Sequence, residues 1–126
     1  MQTNLDEQRS IFLQIAEMLE NAILSGAYAE EQRIPSITEI SVNYRINPAT
    51  ALKGVNILVD SGLLYKKRGL GMFVSEGARG RIAQRRKESF YQDYVRPLLA
   101  EAKKLAVDQE ELSKLIERGY LDDDRA

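Results

Sequence analysis

The sequence predicts a mainly α-helical chain with one small β-hairpin, and three observations point there. Apolar residues recur at helical spacing in three stretches of the first half, each bounded by start or stop residues. The run GLLYKKRGLGMFV at 62–74 sets three consecutive cations between two apolar segments and follows them with two glycines, as a hairpin does. Beyond it, further apolar stripes signal a second group of helices.

Ile11, Ile15, Leu19, Ala22 and Ile23 make the apolar face of a first helix over 10–25, and Gly26 stands where a helix ends in the left-handed conformation. Pro35 stops any continuation. Ser36-Ile37-Thr38-Glu39 is a capping box, in which hydroxyl and carboxylate each satisfy a free backbone amide, so a second helix starts here and buries Ile37, Ile40 and Tyr44. Asn47-Pro48 supplies an N-cap and first-turn proline for a third helix, with Ala51, Val55, Leu58 and Val59 on its inner face and its end near Gly62. The outer face carries Asn47, Ala49, Thr50, Lys53 and Asn56, side chains small or polar enough to approach a base edge or a phosphate.

Helix, tight turn and helix with such a face is a helix-turn-helix, although a plain helical pair with a solvated face has the same pattern. The hairpin decides between them. Leu63 and Tyr65 alternate into Lys66, Lys67 and Arg68, Gly69-Leu70-Gly71 turns the chain, and Met72-Phe73-Val74 returns, which gives a winged helix-turn-helix. Gly69 and Gly71 permit a close turn, and the three cations near its tip can follow phosphates or enter a minor groove. Gly69-x-Gly71 alone is a weak sign of a nucleotide loop, since no third glycine or phosphate-cradling helix follows.

Composition narrows the chemistry. With no cysteine and no histidine among 126 residues, disulfides, thiolate nucleophiles, imidazole bases and most transition-metal sites are excluded. No apolar run approaches the roughly 18 residues of a membrane span and no leader pattern opens the chain, so a soluble cytoplasmic protein without membrane contact is expected. The net charge of -1 conceals an uneven distribution: residues 1–35 hold two cations and six acids, whereas 66–87 hold eight cations against Glu76, a net +7. A local basic stripe suits a polyanion met on one face, and a solvated cationic surface is the plainer alternative.

The order Ile11-Phe12-x-Gln14-Ile15, Ile34-Pro35-Ser36, Ile46-Asn47-Pro48-Ala49-Thr50, Gly62-Leu63-Leu64 and Lys67-Arg68-Gly69-x-Gly71-x-Phe73-Val74 resembles the DNA-binding domain of GntR-family bacterial transcription regulators over 11–75. Its motifs are specific by their order, not singly. The short remainder is similar to the YtrA-type subfamily, in which a small helical dimerisation segment stands where larger members carry an effector-binding domain. The resemblance implies DNA contact at Asn47, Thr50, Lys53, Arg68 and Gly69. Thr38 stands where the family usually has an arginine; it can donate to a phosphate but cannot make a bidentate guanine contact. Leu70 and Met72 replace the more usual lysine and threonine of the wing.

In the tail, Tyr91, Val95, Leu98, Ala102 and Leu105 form a narrow apolar seam that Phe90, Tyr94 and Leu99 widen. Pro97 should kink or divide this helix, and Asp108 caps a last one carrying Leu112, Leu115 and Ile116, giving an antiparallel pair. Packing of that pair on its own wing domain is the simpler reading; so much apolar surface on so few residues favours a partner subunit. Asp122-Asp123-Asp124 reads as a solvated tail.

The expectation is a winged helix-turn-helix DNA-binding domain over 1–76 and a helical dimerisation segment over 77–126, acting as a homodimeric repressor on a near-palindromic duplex operator. Ser36, Thr38, Asn47, Ala49, Thr50, Lys53, Lys66, Lys67, Arg68, Gly69 and Gly71 are the expected DNA-side residues. Tyr91, Tyr94, Val95, Leu98, Ala102, Leu105, Leu112, Leu115 and Ile116 are the expected dimerisation residues. No cofactor, metal or catalytic residue is expected; a small-molecule effector is left open, with no pocket for it readable in the sequence. A winged-helix module for RNA or a protein partner is the alternative, and an acid-base enzyme using Asp or Glu comes third.

Overall fold

Local chemistry sets the helices of the first half. The computed structural model describes residues 10–125. Helix α1, Ile11–Ser25, buries Ile15, Ala16, Leu19 and Ile23, and Gly26 ends it at φ 86°, its N–H donating to the Ile23 carbonyl. Helix α2, Ile37–Tyr44, begins at the capping box: the Glu39 N–H donates to Ser36 Oγ at 3.0 Å and the Ser36 N–H to Glu39 Oε1 at 3.1 Å. Arg45 turns the chain at φ 54°, and the Ser41 hydroxyl, 2.6 Å from the Ile46 carbonyl oxygen, holds the turn closed. Helix α3, Pro48–Asp60, follows at once, with Asn47 Oδ1 accepting from the Ala49 N–H at 2.8 Å.

Helices α1 and α3 cross at Gly54. A Cβ there would lie 2.8 Å from Ile15 Cγ2 and 2.9 Å from the Phe12 carbonyl oxygen, so only glycine admits the approach. Strands β1, Leu64–Lys67, and β2, Gly71–Val74, pair antiparallel from Leu64 opposite Val74 to Lys67 opposite Gly71. The outer edge of β2 is also engaged. Glu31 N–H donates to Val74 O at 2.8 Å, Val74 N–H to Gln32 O at 3.0 Å and Ile34 N–H to Met72 O at 3.0 Å, with Arg33 bridged to Phe73. The connection between α1 and α2 is thus a third line of the sheet.

Helix α4, Ala78–Phe90, contributes Ala78 and Ile82 to the same core as Ile15, Ile34, Val55, Leu58, Leu64 and Val74. By packing, the first compact unit therefore reaches Gln84 and the second begins at Arg85. A cavity of about 40 Å³ in the first unit is lined by Ile15, Met18, Leu19, Tyr28, Pro35, Ile40, Asn43 and Tyr44. The Tyr44 hydroxyl is buried there without a protein partner.

In the second unit the helix widens into a π turn over Tyr91–Val95, where the Arg96 N–H reaches back to the Tyr91 carbonyl, and continues as α5, Arg96–Lys104. Pro97 has no N–H to donate and its ring crowds the preceding turn, so the helix takes up an extra residue before it instead of breaking. Asp108 caps α6, Gln109–Arg125, accepting from the Glu111 N–H at 2.9 Å. The acidic 122–124 stretch belongs to helix α6, and its Asp122 and Asp123 side chains are exposed to solvent. One expectation is corrected. Helices α5 and α6 do not pack side by side as an antiparallel pair within one chain: of the described side chains in α6 only Leu112 is even partly covered.

Candidate nucleic-acid interface

The capping chemistry that starts α2 and α3 also fixes which groups remain to meet a ligand. Ser36 and Asn47 have their side-chain oxygens engaged by backbone amides, so both hold helix starts in place. Hydrogen bonds from the Ser36 backbone and side chain hold the Glu39 carboxyl below its usual range, keeping the box ionised and closed. Thr38, in the first turn of α2, is exposed. On α3 Pro48, Ala49, Leu52, Lys53 and, at its far end, Asp60 are exposed, while Thr50 and Asn56 are half-covered. Thr50 therefore lies at the margin of the outer face rather than at its centre. The Lys53 ammonium sits 4.1 Å from the Phe12 ring centroid, an attraction that holds its stem across the α1–α3 junction.

The wing separates the cations that are neighbours in sequence. Alternation along β1 puts Lys66 on the face of Leu64 and Lys67 on the face of Tyr65. Lys67 Nζ lies 4.5 Å from the Phe73 ring centroid, and Tyr65 and Phe73 stack at 5.9 Å. The Tyr65 hydroxyl donates to Glu31 Oε2 at 2.7 Å, which ties this face to the third line of the sheet. Arg68 and Gly69 form the tip, closed by the Leu70 N–H on the Lys67 carbonyl at 2.9 Å. Gly69 at φ 78° meets the positive φ that the third position of such a turn demands.

Arg33 was not among the sequence-derived candidates. It is exposed beside the wing, its Cδ only 3.2 Å from where a Gly71 Cβ would stand. Its pairing to β2 rests on contacts distant in sequence, and only the cation next to Ile34-Pro35 could have hinted at it. The basic stretch of 66–87 is divided between the two units. Arg81 is spent on the Gly62 carbonyl, closing the end of α3, and Arg85, Arg86 and Lys87 belong to the second unit. The first unit carries Lys53 on α3, Lys66, Lys67 and Arg68 on the hairpin, Arg33 beside it, and the exposed Arg79 on α4.

Ala102 is buried already in the single chain, so among the expected dimerisation residues it is not surface on offer. Val95 and Leu112 are half-covered, while Tyr91, Tyr94, Leu98, Leu105, Leu115 and Ile116 are exposed. Among the described residues no group of acidic side chains is placed to hold a metal ion, and no helix is long and apolar enough to cross a membrane.

Comparison with known proteins agrees with this geometry. The family described as bacterial regulatory proteins, gntR family, matches residues 12–74. A solved structure of a GntR-family transcriptional regulator from Bacteroides thetaiotaomicron is 34% identical, covering 90% of this chain and 98% of that one with a TM-score of 0.70. The transcriptional repressor YtrA of Bacillus subtilis (strain 168) is 26% identical over 106 residues, 84% of this chain and 81% of YtrA. The DNA-binding domain of AraR, solved in complex with its operator ORX1, is 30% identical over 60% of this chain and 92% of that one, with a TM-score of 0.51. A winged helix-turn-helix with α3 capped and its wing cationic, matched by the family over residues 12–74, places this chain in the GntR family of bacterial regulatory proteins: it is a DNA-binding transcription regulator and not an enzyme.

Proposed function

We propose that the protein is a homodimeric cytoplasmic repressor of the YtrA type that reads a near-palindromic duplex operator. The observation that carries this reading is the first two turns of α3, where Ala49, Leu52 and Lys53 stand exposed behind the Asn47 cap. A helix N-terminus of small, apolar and cationic groups fits a major groove, and Arg68 and Gly69 at the wing tip suit the adjoining backbone or minor groove. Thr38 at the start of α2 is suited to a phosphate, as are Lys66 and Lys67 on the two faces of the hairpin.

Dimerisation is supported by what the second unit leaves bare. Ten of the large hydrophobic side chains at 90–121 are exposed, from Leu99 at 37% to Tyr120 at 73%. Most helical stability in proteins comes from packing an apolar face, and on α6 Leu115, Ile116 and Tyr120 remain 41%, 46% and 73% exposed. A second copy supplies that cover and joins two reading heads, which fits an operator with two half-sites about 34 Å apart. Selection of bound duplexes from a random pool by the full-length protein tests the whole reading, with light scattering for the mass. A recovered inverted repeat and a dimer mass are expected; sequence-independent binding by a monomer overturns it.

A further inference from the structure

The exposed stripe of α3 holds one residue that neither the sequence motifs nor hydrogen-bonding chemistry accounts for. Ala49, Leu52, Lys53 and Asn56 follow the i, i+3, i+4, i+7 spacing of a single helical face, opposite the buried Ala51, Gly54, Val55 and Leu58. Leu52 lies within that stripe and is 42% exposed, with no place in the core cluster. A lone exposed leucine is ordinary on a protein surface. This one stands between Ala49 and Asn56 on the face that the proposed function turns toward base pairs. Leucine can neither donate nor accept, so its only discriminating contact with a duplex is apolar, and the one apolar group on the major-groove edges is the thymine C5-methyl.

We infer that Leu52, with Ala49 beside it, is a specificity-determining residue that packs on a thymine methyl group in each operator half-site. Lys53 is the adjacent donor on the stripe, suited to the O6 and N7 acceptors of a guanine. The thymine therefore falls within one or two base steps of a guanine read by Lys53. Leu52 adds a reading of the base that Thr38, short of a bidentate donor, cannot supply from α2.

This inference rests on the operator reading, and its test separates the two. Duplexes recovered by selection with the full-length protein are remade with deoxyuridine in place of each thymine in turn, which removes only the methyl group. One thymine per half-site should prove sensitive, with affinity falling about four-fold for each methyl removed. Leu52→Ala should bind the thymine and deoxyuridine duplexes alike at that position while keeping every other preference, and Leu52→Met, still apolar, should retain the sensitivity. Unchanged thermal unfolding shows that both variants fold. A selected site in which no thymine is sensitive, or whose sensitivity persists in Leu52→Ala, overturns the role of Leu52 and leaves operator binding intact. A pool that yields no preferred sequence overturns the operator reading and this inference with it.

Discussion

Gly54→Ala should destabilise the protein even though alanine is the better helix former. In an open helix the exchange gains up to about 1 kcal/mol. At the α1–α3 crossing the new Cβ would meet Ile15 Cγ2 at 2.8 Å, Ile15 Cβ at 2.9 Å and the Phe12 carbonyl oxygen at 2.9 Å. Carbon atoms rest at about 3.5–4.0 Å, so the helices must part by about 1 Å or Ile15 must leave its rotamer. Ile15, Val55 and Leu58 are at most 1% exposed and have no free space to take up the shift. Overfilling a packed core of this kind costs about 1–3 kcal/mol, which outweighs the propensity gain and leaves a net loss of about 1–2 kcal/mol. For a unit of this size that lowers Tm by about 5–10 °C. Gly80→Ala is the internal control: Gly80 is also helical, but a Cβ there meets nothing within 4 Å, so its Tm should rise. Thermal unfolding of the full-length protein followed by circular dichroism reads both. A Gly54→Ala variant as stable as Gly80→Ala would refute the close crossing.

Arg68→Ala should flatten the dependence of log affinity on log salt by about 0.9 for each phosphate it ceases to neutralise, and Arg33→Ala should do the same if the cation beside the wing meets backbone; filter binding across a salt series measures both slopes. Ile116→Asp puts a carboxylate on the bare face of α6 and should convert a dimer into a monomer by light scattering, with operator affinity falling about 10²- to 10⁴-fold as the linkage between half-sites disappears. Unchanged mass would remove α6 from the dimer interface. Tyr44→Phe should match or exceed the native Tm, because the hydroxyl it deletes is buried without a protein partner and an unmet buried polar group costs about 1–3 kcal/mol. A clear drop in Tm would show that the Tyr44 hydroxyl is satisfied in solution.

What the sequence made legible was short-range. The Gly26 stop, the Ser36–Glu39 box and the Asn47-Pro48 start each depend on atoms within about four residues of one another, so their chemistry reads directly from residue types. The hairpin was equally local, marked by the glycines between its two apolar runs, although Gly71, read as part of the turn, opens β2 opposite Lys67. Distance in sequence hid the rest. Arg33 reaches the wing only because 31–34 bonds to β2, some forty residues on. Lys53 is anchored by Phe12 across a helix crossing whose closeness depends on Gly54. The reach of the first unit to Gln84 comes from Ala78 and Ile82, whose helix carries so many cations that its two core residues leave little apolar pattern. A truncation meant to isolate that unit must therefore end after Gln84, since one ending at 76 would strip two side chains from its core. Helix α6 was legible as a helix and as apolar on one side. Its lack of cover within the chain is a fact of packing that periodicity cannot carry.

The third line of the sheet has a further consequence. A two-stranded ribbon standing out from a protein offers bare amides and carbonyls along both margins, a template on which other chains can zip. Here one margin is closed from within, because Glu31, Gln32 and Ile34 take the hydrogen bonds that β2 would otherwise hold out. Two such hairpins brought onto neighbouring stretches of one duplex can crowd together without β2 of one becoming a seam for the other. With that margin closed, the wing is a poor seed for aggregation.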